Sequence, residues 1–156
     1  MKVLPFLVLF AASIVSVRAQ SISPFLLMGL TQHGDNATQT LNPFFTVGAD
    51  LDALGNRYIM PRIDLVVHTA PQSETISELK FGAKAGYSFR LLKPYGIIML
   101  SYPLAANDAL LRGVVGAGVE TANLGRVALL LEVQFDQGEL RHADGFILQG
   151  GVKYSF

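Results

Sequence analysis

The sequence contains no cysteine and no tryptophan among its 156 residues, and only 15% of its residues are charged. The absence of cysteine excludes disulfides, thiolate metal sites, a cysteine nucleophile and the acylated cysteine of a lipoprotein. Hydrophobic residues make up 51% of the chain and the mean hydropathy is +0.40. Beyond the N-terminus, however, no run approaches the roughly 18 apolar residues of a membrane helix. The apolar residues therefore either fill a core or cover a lipid-facing surface.

The N-terminus has the features of a secretory signal. Lys2 precedes an apolar run over 3–17, and Val17-Arg18-Ala19 places small residues at a cleavage position before Gln20. We expect a signal peptide over 1–19 and one mature domain over 20–156; a single anchoring helix is disfavoured because the run is short. The mature chain would keep ten basic and twelve acidic residues. This small net charge gives no indication of a nucleic-acid partner.

The mature region alternates with period two, which is typical of strands, and contains no helical stripe of useful length. The predicted strands are 23–33, 43–52, 57–68, 78–89, 94–104, 109–121, 125–136 and 146–156. Long polar links at 34–42, 69–77 and 137–145 alternate with tight links at 53–56, 90–93 and 122–124. The link around 105–107 is short and fits this alternation least well.

In most strands one face is apolar without interruption, and the other carries charges and glycines. Leu129 and Leu131 lie on the apolar face of the seventh strand, for example, whereas Glu132 lies on its other face. The faces of the first and fifth strands are undetermined because residues 24–30 and 96–100 are apolar on both sides. Pro61 lies within the third strand, where we expect it to mark a bulge.

The charged faces predict an ionic interior. An eight-stranded barrel is just wide enough for its own side chains, so each interior charge needs a partner of opposite sign. The near-balanced set favours ion pairs that plug the lumen, with a gated ion path as the alternative. The predicted lumen network is Asp50, Asp52, Arg62, Asp64, Lys80, Lys84, Arg112, Glu120, Arg126, Glu132 and Lys153.

Aromatic residues at the strand ends favour a membrane barrel over a soluble barrel or sandwich with an inward apolar face. Together with the signal segment and strands of about eleven residues, they predict two girdles. One girdle would comprise Tyr87, Phe89, Tyr154 and Phe156, and the other Phe44, Phe45, Phe135 and Phe146.

No catalytic or metal motif is evident. The three histidines, His33, His68 and His142, fall at the end of the predicted barrel where the long links lie. No metal-binding spacing connects them, so we expect unrelated loop residues rather than a metal or pH-responsive cluster. A serine hydrolase needs a base beside its nucleophile. Ser155 lies at the opposite end of the last strand, and Ser73 and Ser77 near His68 have only a generic spacing.

The last strand ending in Phe156, the segment ending Val17-Arg18-Ala19 and the order of long and tight links resemble the small eight-stranded bacterial outer-membrane β-barrel family. The resemblance implies an all-β, antiparallel up-and-down transmembrane β-barrel in the Gram-negative outer membrane. It also implies an assembly signal, which the barrel-assembly machinery would read in Val152, Tyr154 and Phe156. Unlike typical members, the chain lacks tryptophan and has modest external loops, which disfavours an adhesin.

We therefore expect a barrel with a structural or surface-interaction role, without catalytic, cofactor-binding or metal-binding residues. Its expected partners are outer-membrane lipid, lipopolysaccharide and the assembly machinery, with no nucleic acid, and we expect a monomer. The alternatives are an outer-leaflet lipid A-modifying hydrolase or acyltransferase, a narrow ion-conducting pore, and a soluble periplasmic binding barrel.

Overall fold

The chain forms one closed antiparallel sheet. The computed structural model describes residues 22–33, 40–51, 58–68, 77–104, 111–122, 124–136 and 146–156; the predicted signal peptide lies outside them. Consecutive strands pair with each other, and β1 also pairs with β8, so the sheet closes into a barrel. The eight strands are β1 (Ile22–His33), β2 (Thr40–Leu51), β3 (Ile59–His68), β4 (Ser77–Gly86), β5 (Leu92–Pro103), β6 (Arg112–Thr121), β7 (Val127–Asp136) and β8 (Ile147–Tyr154).

This architecture confirms the predicted all-β, eight-stranded antiparallel up-and-down barrel. The register returns to β1 displaced by about ten residues after one circuit, a stagger that requires tilted strands. Among the described residues no helix is long and apolar enough to cross a membrane.

The predicted bulge at Pro61 is wrong. The β3–β4 register runs from Ile59↔Ala85 to Val67↔Ser77 without an extra residue on either strand. On its other side β3 pairs with β2 only as far as Asp50↔Arg62. Pro61 therefore lies beyond the last pair of the β2–β3 ladder, and the imide nitrogen removes no donor from that ladder.

The faces of the sheet are the reverse of those in a soluble barrel. Leu129 and Leu131 of β7 point outward and are 49% and 53% exposed, while Glu132, the next residue along the strand, is fully buried. The structure also settles the two ambiguous strands. Phe25 and Leu27 of β1 point inward, and in β5 the inward residues include Ile97. Apolar side chains therefore cover the outside, and most of the buried charge lies inside.

Aromatic side chains cluster at the end of the barrel where the tight links lie. Tyr87 stacks against Tyr58 with ring centroids 5.9 Å apart and meets Phe89 edge-on at 5.2 Å. Tyr154 and Phe156 make a second edge-on pair at 5.0 Å. At the opposite end the prediction for Phe44 is wrong: it is buried and packs with Val66 and Ile147 inside the barrel, because β2 turns Phe45 rather than Phe44 outward.

Candidate functional site: the charged interior

Most of the charges predicted to face inward are buried inside the barrel. The buried members are Asp50, Arg62, Asp64, Lys80, Lys84, Glu120, Glu132 and Lys153. Asp52 lies outside the described residues. These eight side chains comprise four cations and four anions, so the described interior carries no formal net charge.

Two arginines of the predicted network are not interior residues. Arg126 is exposed in the link before β7, and its guanidinium donates a hydrogen bond to the Tyr154 hydroxyl (3.3 Å). Arg112 is exposed at the first residue of β6. Both alternate in step with the inward residues of their strands. The two-residue alternation, however, indicates only the face of the sheet and not the position along the barrel axis. Arg126 precedes its strand, and Arg112 lies at the barrel mouth.

One interior group, the central cluster, consists of Arg62, Asp64 and Glu132. Arg62 and Asp64 are two residues apart on β3, and the guanidinium donates its Nε hydrogen to Asp64 Oδ1 (2.9 Å). The same guanidinium makes a bidentate contact with Glu132 across the barrel, at 2.5 and 3.1 Å. This fork geometry is the strongest form of ion pair. It joins β3 to β7 through the middle of the lumen.

Glu132 also accepts hydrogen bonds from neutral side chains. Tyr95 donates its hydroxyl hydrogen to Oε1 (2.6 Å), and Gln149 and Gln134 donate amide hydrogens to Oε2 (2.7 and 3.2 Å). Lys80 in turn donates to Gln134 Oε1 (3.1 Å). None of these neutral donors was predicted to belong to the network. A tyrosine next to the apolar run 96–100 of β5 was the available signal.

A second interior group, the four-residue ring, lies near the tight-link end. Lys84 donates to Asp50 Oδ2 (2.9 Å) and Glu120 Oε2 (2.7 Å). Lys153 reaches the same two carboxylates, at 3.4 Å from Asp50 Oδ2 and 2.5 Å from Glu120 Oε1. The members come from β2, β4, β6 and β8, and their signs alternate around the barrel. Each charge therefore has two neighbours of opposite sign.

Glycines provide the space for two cation–aromatic stacks. A Cβ added at Gly48 would overlap the Phe25 ring, and the Arg62 guanidinium lies 4.2 Å from the centroid of that ring. A Cβ at Gly118 would likewise overlap the Tyr95 ring, which has Lys84 Nζ 4.0 Å from its centroid. Gly48 and Gly118 lie on the inward faces of their strands. At these two positions they make room for the rings beneath the cations.

Two carboxylate oxygens, Asp50 Oδ1 and Asp64 Oδ2, are buried without a hydrogen-bond partner. Each belongs to a carboxylate whose other oxygen is in an ion pair. The described part of the interior therefore has more hydrogen-bond acceptors than donors to fill them at these two carboxylates.

The only histidine whose side chain is described lies near the long-link end. His68 Nε2 is 3.7 Å from Glu78 Oε1, and Ser101 donates its hydroxyl hydrogen to Glu78 Oε2 (3.0 Å). The carboxylate stands between the serine and the histidine, whereas a nucleophilic serine needs the histidine beside it. His142 and the His33 side chain lie outside what is described, as do Ser73 and the Ser77 side chain. The described residues include no group of three or more potential metal ligands.

The closing strand has its predicted faces. Val152 and Tyr154 point outward, and Phe156 beyond the strand is also exposed. Lys153 between them points inward to the four-residue ring. β8 pairs with β1 from Phe25↔Lys153 to Thr31↔Ile147, so the strand that ends the chain also closes the barrel.

No family model and no curated protein matches the chain. Its fold is similar to a de novo designed transmembrane β-barrel (TM-score 0.65, 16% identity, covering 87% of this chain and 95% of that one). It is also similar to Neisserial surface protein A (TM-score 0.63, 12% identity, covering 86% of this chain and 97% of that one). The fold is similar as well to the N-terminal β-barrel domain of Pseudomonas aeruginosa OprF, with a TM-score of 0.65 and 9% identity over 86% of this chain and 97% of that one. The fold is thus that of transmembrane barrels.

Proposed function

We propose that the chain is an integral outer-membrane β-barrel with a structural or surface-interaction role and no catalytic activity. One observation carries the proposal: buried ion pairs occupy the inside and exposed apolar side chains cover the outside. In water this arrangement would expose a large apolar surface and bury charges that could be solvated. In a bilayer it satisfies both sets of side chains, since lipid covers the apolar belt.

The location and role are supported by the neighbours in fold. Two of those neighbours are a neisserial surface protein and a barrel domain of OprF, and another is the attachment invasion locus protein of Yersinia pestis (TM-score 0.56, 10% identity, covering 87% of this chain and 97% of that one). We place residues 20–156 in the outer membrane of a Gram-negative bacterium after removal of 1–19. Outer-membrane lipid, lipopolysaccharide and the assembly machinery that reads Val152, Tyr154 and Phe156 are the partners this location supplies, and the barrel is a monomer.

The lumen is closed by its side chains. The central cluster and the four-residue ring each cross the barrel. Leu27 and Met99 belong to the same buried apolar cluster as Phe25 and Tyr95, whose rings contact the cations. A narrow ion-conducting pore is the alternative, which would require these ion pairs to separate. A lipid A-modifying enzyme is a weaker alternative, because Glu78 separates Ser101 from His68.

Membrane extraction and gel migration test the proposal. The protein expressed with its signal segment should resist extraction by alkaline carbonate and should migrate differently in detergent gels before and after boiling, as a closed barrel does. Release with the periplasmic fraction on osmotic shock would contradict the proposal. Altered acylation of lipid A on expression would overturn the non-catalytic assignment independently of the location.

A further inference from the structure

An apolar groove opens on the outer surface where the barrel closes. It has a volume of about 330 Å³ and is lined by Pro24, Phe25, Leu26, Val127, Val152, Lys153 and Tyr154. The β1–β8 ladder ends at Phe25↔Lys153, although β1 continues to Ile22. Pro24 is the next residue along β1, and it has no N–H with which to extend that ladder. The groove is therefore a gap between the two closing strands.

The sides of the groove are suited to a hydrocarbon chain. Leu26, Val127 and Val152 point outward and are partly exposed, and Tyr154 closes one side. Past the groove the Ser23 and Ser155 hydroxyls approach to 3.5 Å. The groove is thus bounded by a polar contact at the edge of the barrel and by the apolar belt toward its middle.

A cation stands beside the groove. Arg126 immediately precedes Val127 in sequence, and its guanidinium donates to the hydroxyl of Tyr154. That bond engages one of the five N–H donors of an arginine, and the side chain is exposed. Guanidinium geometry suits bidentate binding of a phosphate. An anionic group above the groove would therefore meet a ready donor.

The charge of the described surface favours an anionic occupant. The exposed charged side chains among the described residues are Arg90, Arg112 and Arg126, all positive. Of the acids whose side chains are described, Glu78 is half-buried and the others are buried. Among the described residues, no exposed acidic side chain therefore competes with a ligand for Arg126.

We propose that this groove binds an anionic phospholipid of the leaflet at the tight-link end, with an acyl chain between β1 and β8 and its phosphate on Arg126. The proposal rests on the proposed function, since it requires the barrel to lie in a bilayer. A zwitterionic lipid carries the same phosphate together with a compensating ammonium group, so a single arginine beside the groove should favour the anionic lipid about fivefold.

The absence of tryptophan makes a clean test available. A single tryptophan at Leu129→Trp would lie beside the groove, since Leu129 pairs with Val152, without lining it. Ile98→Trp is the matched control on the opposite side of the barrel. Ile98 is also exposed, and its cross-strand partner Ala83 precedes Lys84 of the four-residue ring. Val152, the partner of Leu129, likewise precedes Lys153 of the ring, so the two positions lie at a similar depth.

Each variant would be refolded into phosphatidylcholine vesicles containing a minor fraction of lipid brominated on its acyl chains. We expect brominated phosphatidylglycerol to quench Leu129→Trp more than an equal fraction of brominated phosphatidylcholine does, and to quench Ile98→Trp equally with both. Adding Arg126→Gln should abolish the difference, whereas Arg90→Gln should preserve it. Equal quenching of Leu129→Trp by both lipids would overturn the proposal.

Two further outcomes have separate meanings. If neither tryptophan is quenched in fully brominated vesicles, the chain is not in the bilayer and the proposed function itself fails. If Ile98→Trp is quenched but Leu129→Trp is shielded from every lipid, a second copy of the chain covers the groove, and the lipid proposal is wrong while the membrane proposal stands.

Discussion

Glu132 is the residue on which the interior depends most. It accepts hydrogen bonds from Arg62, Tyr95, Gln134 and Gln149, and its side chain is completely buried. Burial makes each of these bonds stronger and makes the loss of the charge more costly, because water cannot replace it. Removing one carboxylate charge therefore affects the donors of four strands together.

Glu132→Gln should destabilise the barrel by about 3–5 kcal/mol, because it leaves the Arg62 guanidinium buried with only Asp64 as a charged partner. The measurement is urea unfolding in lipid vesicles, followed by the gel shift between folded and boiled protein. Glu78→Gln is the matched control: its side chain is partly exposed, and we expect a loss below about 1 kcal/mol. Equal losses in the two variants would contradict a central role for Glu132.

At the residue scale the sequence predicts which face of the sheet a side chain occupies better than it predicts the ion-pair partner of that side chain. Alternation was sufficient to place Glu132 and Lys153 inside, because a two-residue period is a local property. Which cation meets which carboxylate depends on the stagger accumulated over eight strands, which no single segment encodes. The inward position predicted for Arg126 is wrong for a related reason. The two-residue alternation of the sequence continues back to Arg126, but β7 begins only at Val127.

At the scale of the element, the two adjacent glycines of β8 differ in how much space surrounds them. Gly151 points inward, and an added Cβ would overlap the backbone oxygen of Leu26 and lie 2.8 Å from the Leu27 Cα. Gly150 points outward, and its added Cβ would be 3.4 Å from the Leu130 oxygen, an ordinary contact. Only Gly151 is thus required for the close approach of β8 to β1.

Gly151→Ala should destabilise the barrel by about 1–3 kcal/mol, since the methyl group meets backbone that cannot rotate away. Gly150→Ala should be neutral or stabilising by up to about 1 kcal/mol, because the methyl points to the outer surface and restricts the unfolded chain. Urea unfolding in vesicles measures both. A larger loss for Gly150→Ala would mean that the assigned faces of β8 are inverted.

The strands themselves were largely predictable. Every predicted strand overlaps an observed one, and the ends differ by a few residues because strand ends depend on where a neighbour stops pairing. The faces of β1 and β5 were not predictable, since both of their sides are apolar. Packing decides them: Phe25 fits over Gly48, and Tyr95 fits over Gly118.

For the whole molecule, the plugged lumen that we propose has two separate obstructions along one axis, the central cluster and the four-residue ring. An ion would have to pass both, so opening either alone should leave the lumen closed. The ring carries two cations and two anions, and Lys80, which donates to Gln134, offsets the single net negative charge of the central cluster.

Planar-bilayer recording tests this series arrangement. The unaltered protein should show no steady conductance, and neither should the charge-conserving double variants Arg62→Ala with Glu132→Ala or Lys84→Ala with Glu120→Ala. The four substitutions together should produce conductance, because both obstructions are then shortened. Each variant must first show the folded gel migration. Steady current through the unaltered protein, or through either double variant, would favour the narrow pore.

The four-residue ring has a consequence for the making of the protein. The successive strand pairs β1–β2, β3–β4, β5–β6 and β7–β8 each contribute one ring charge: Asp50, Lys84, Glu120 and Lys153 in turn. A chain without β8 would lose Lys153 from the ring, leaving Asp50 and Glu120 with Lys84 as their one remaining ring member. The complete ring therefore requires the last strand to be in place, so it is a set of contacts that only the barrel of eight strands can form.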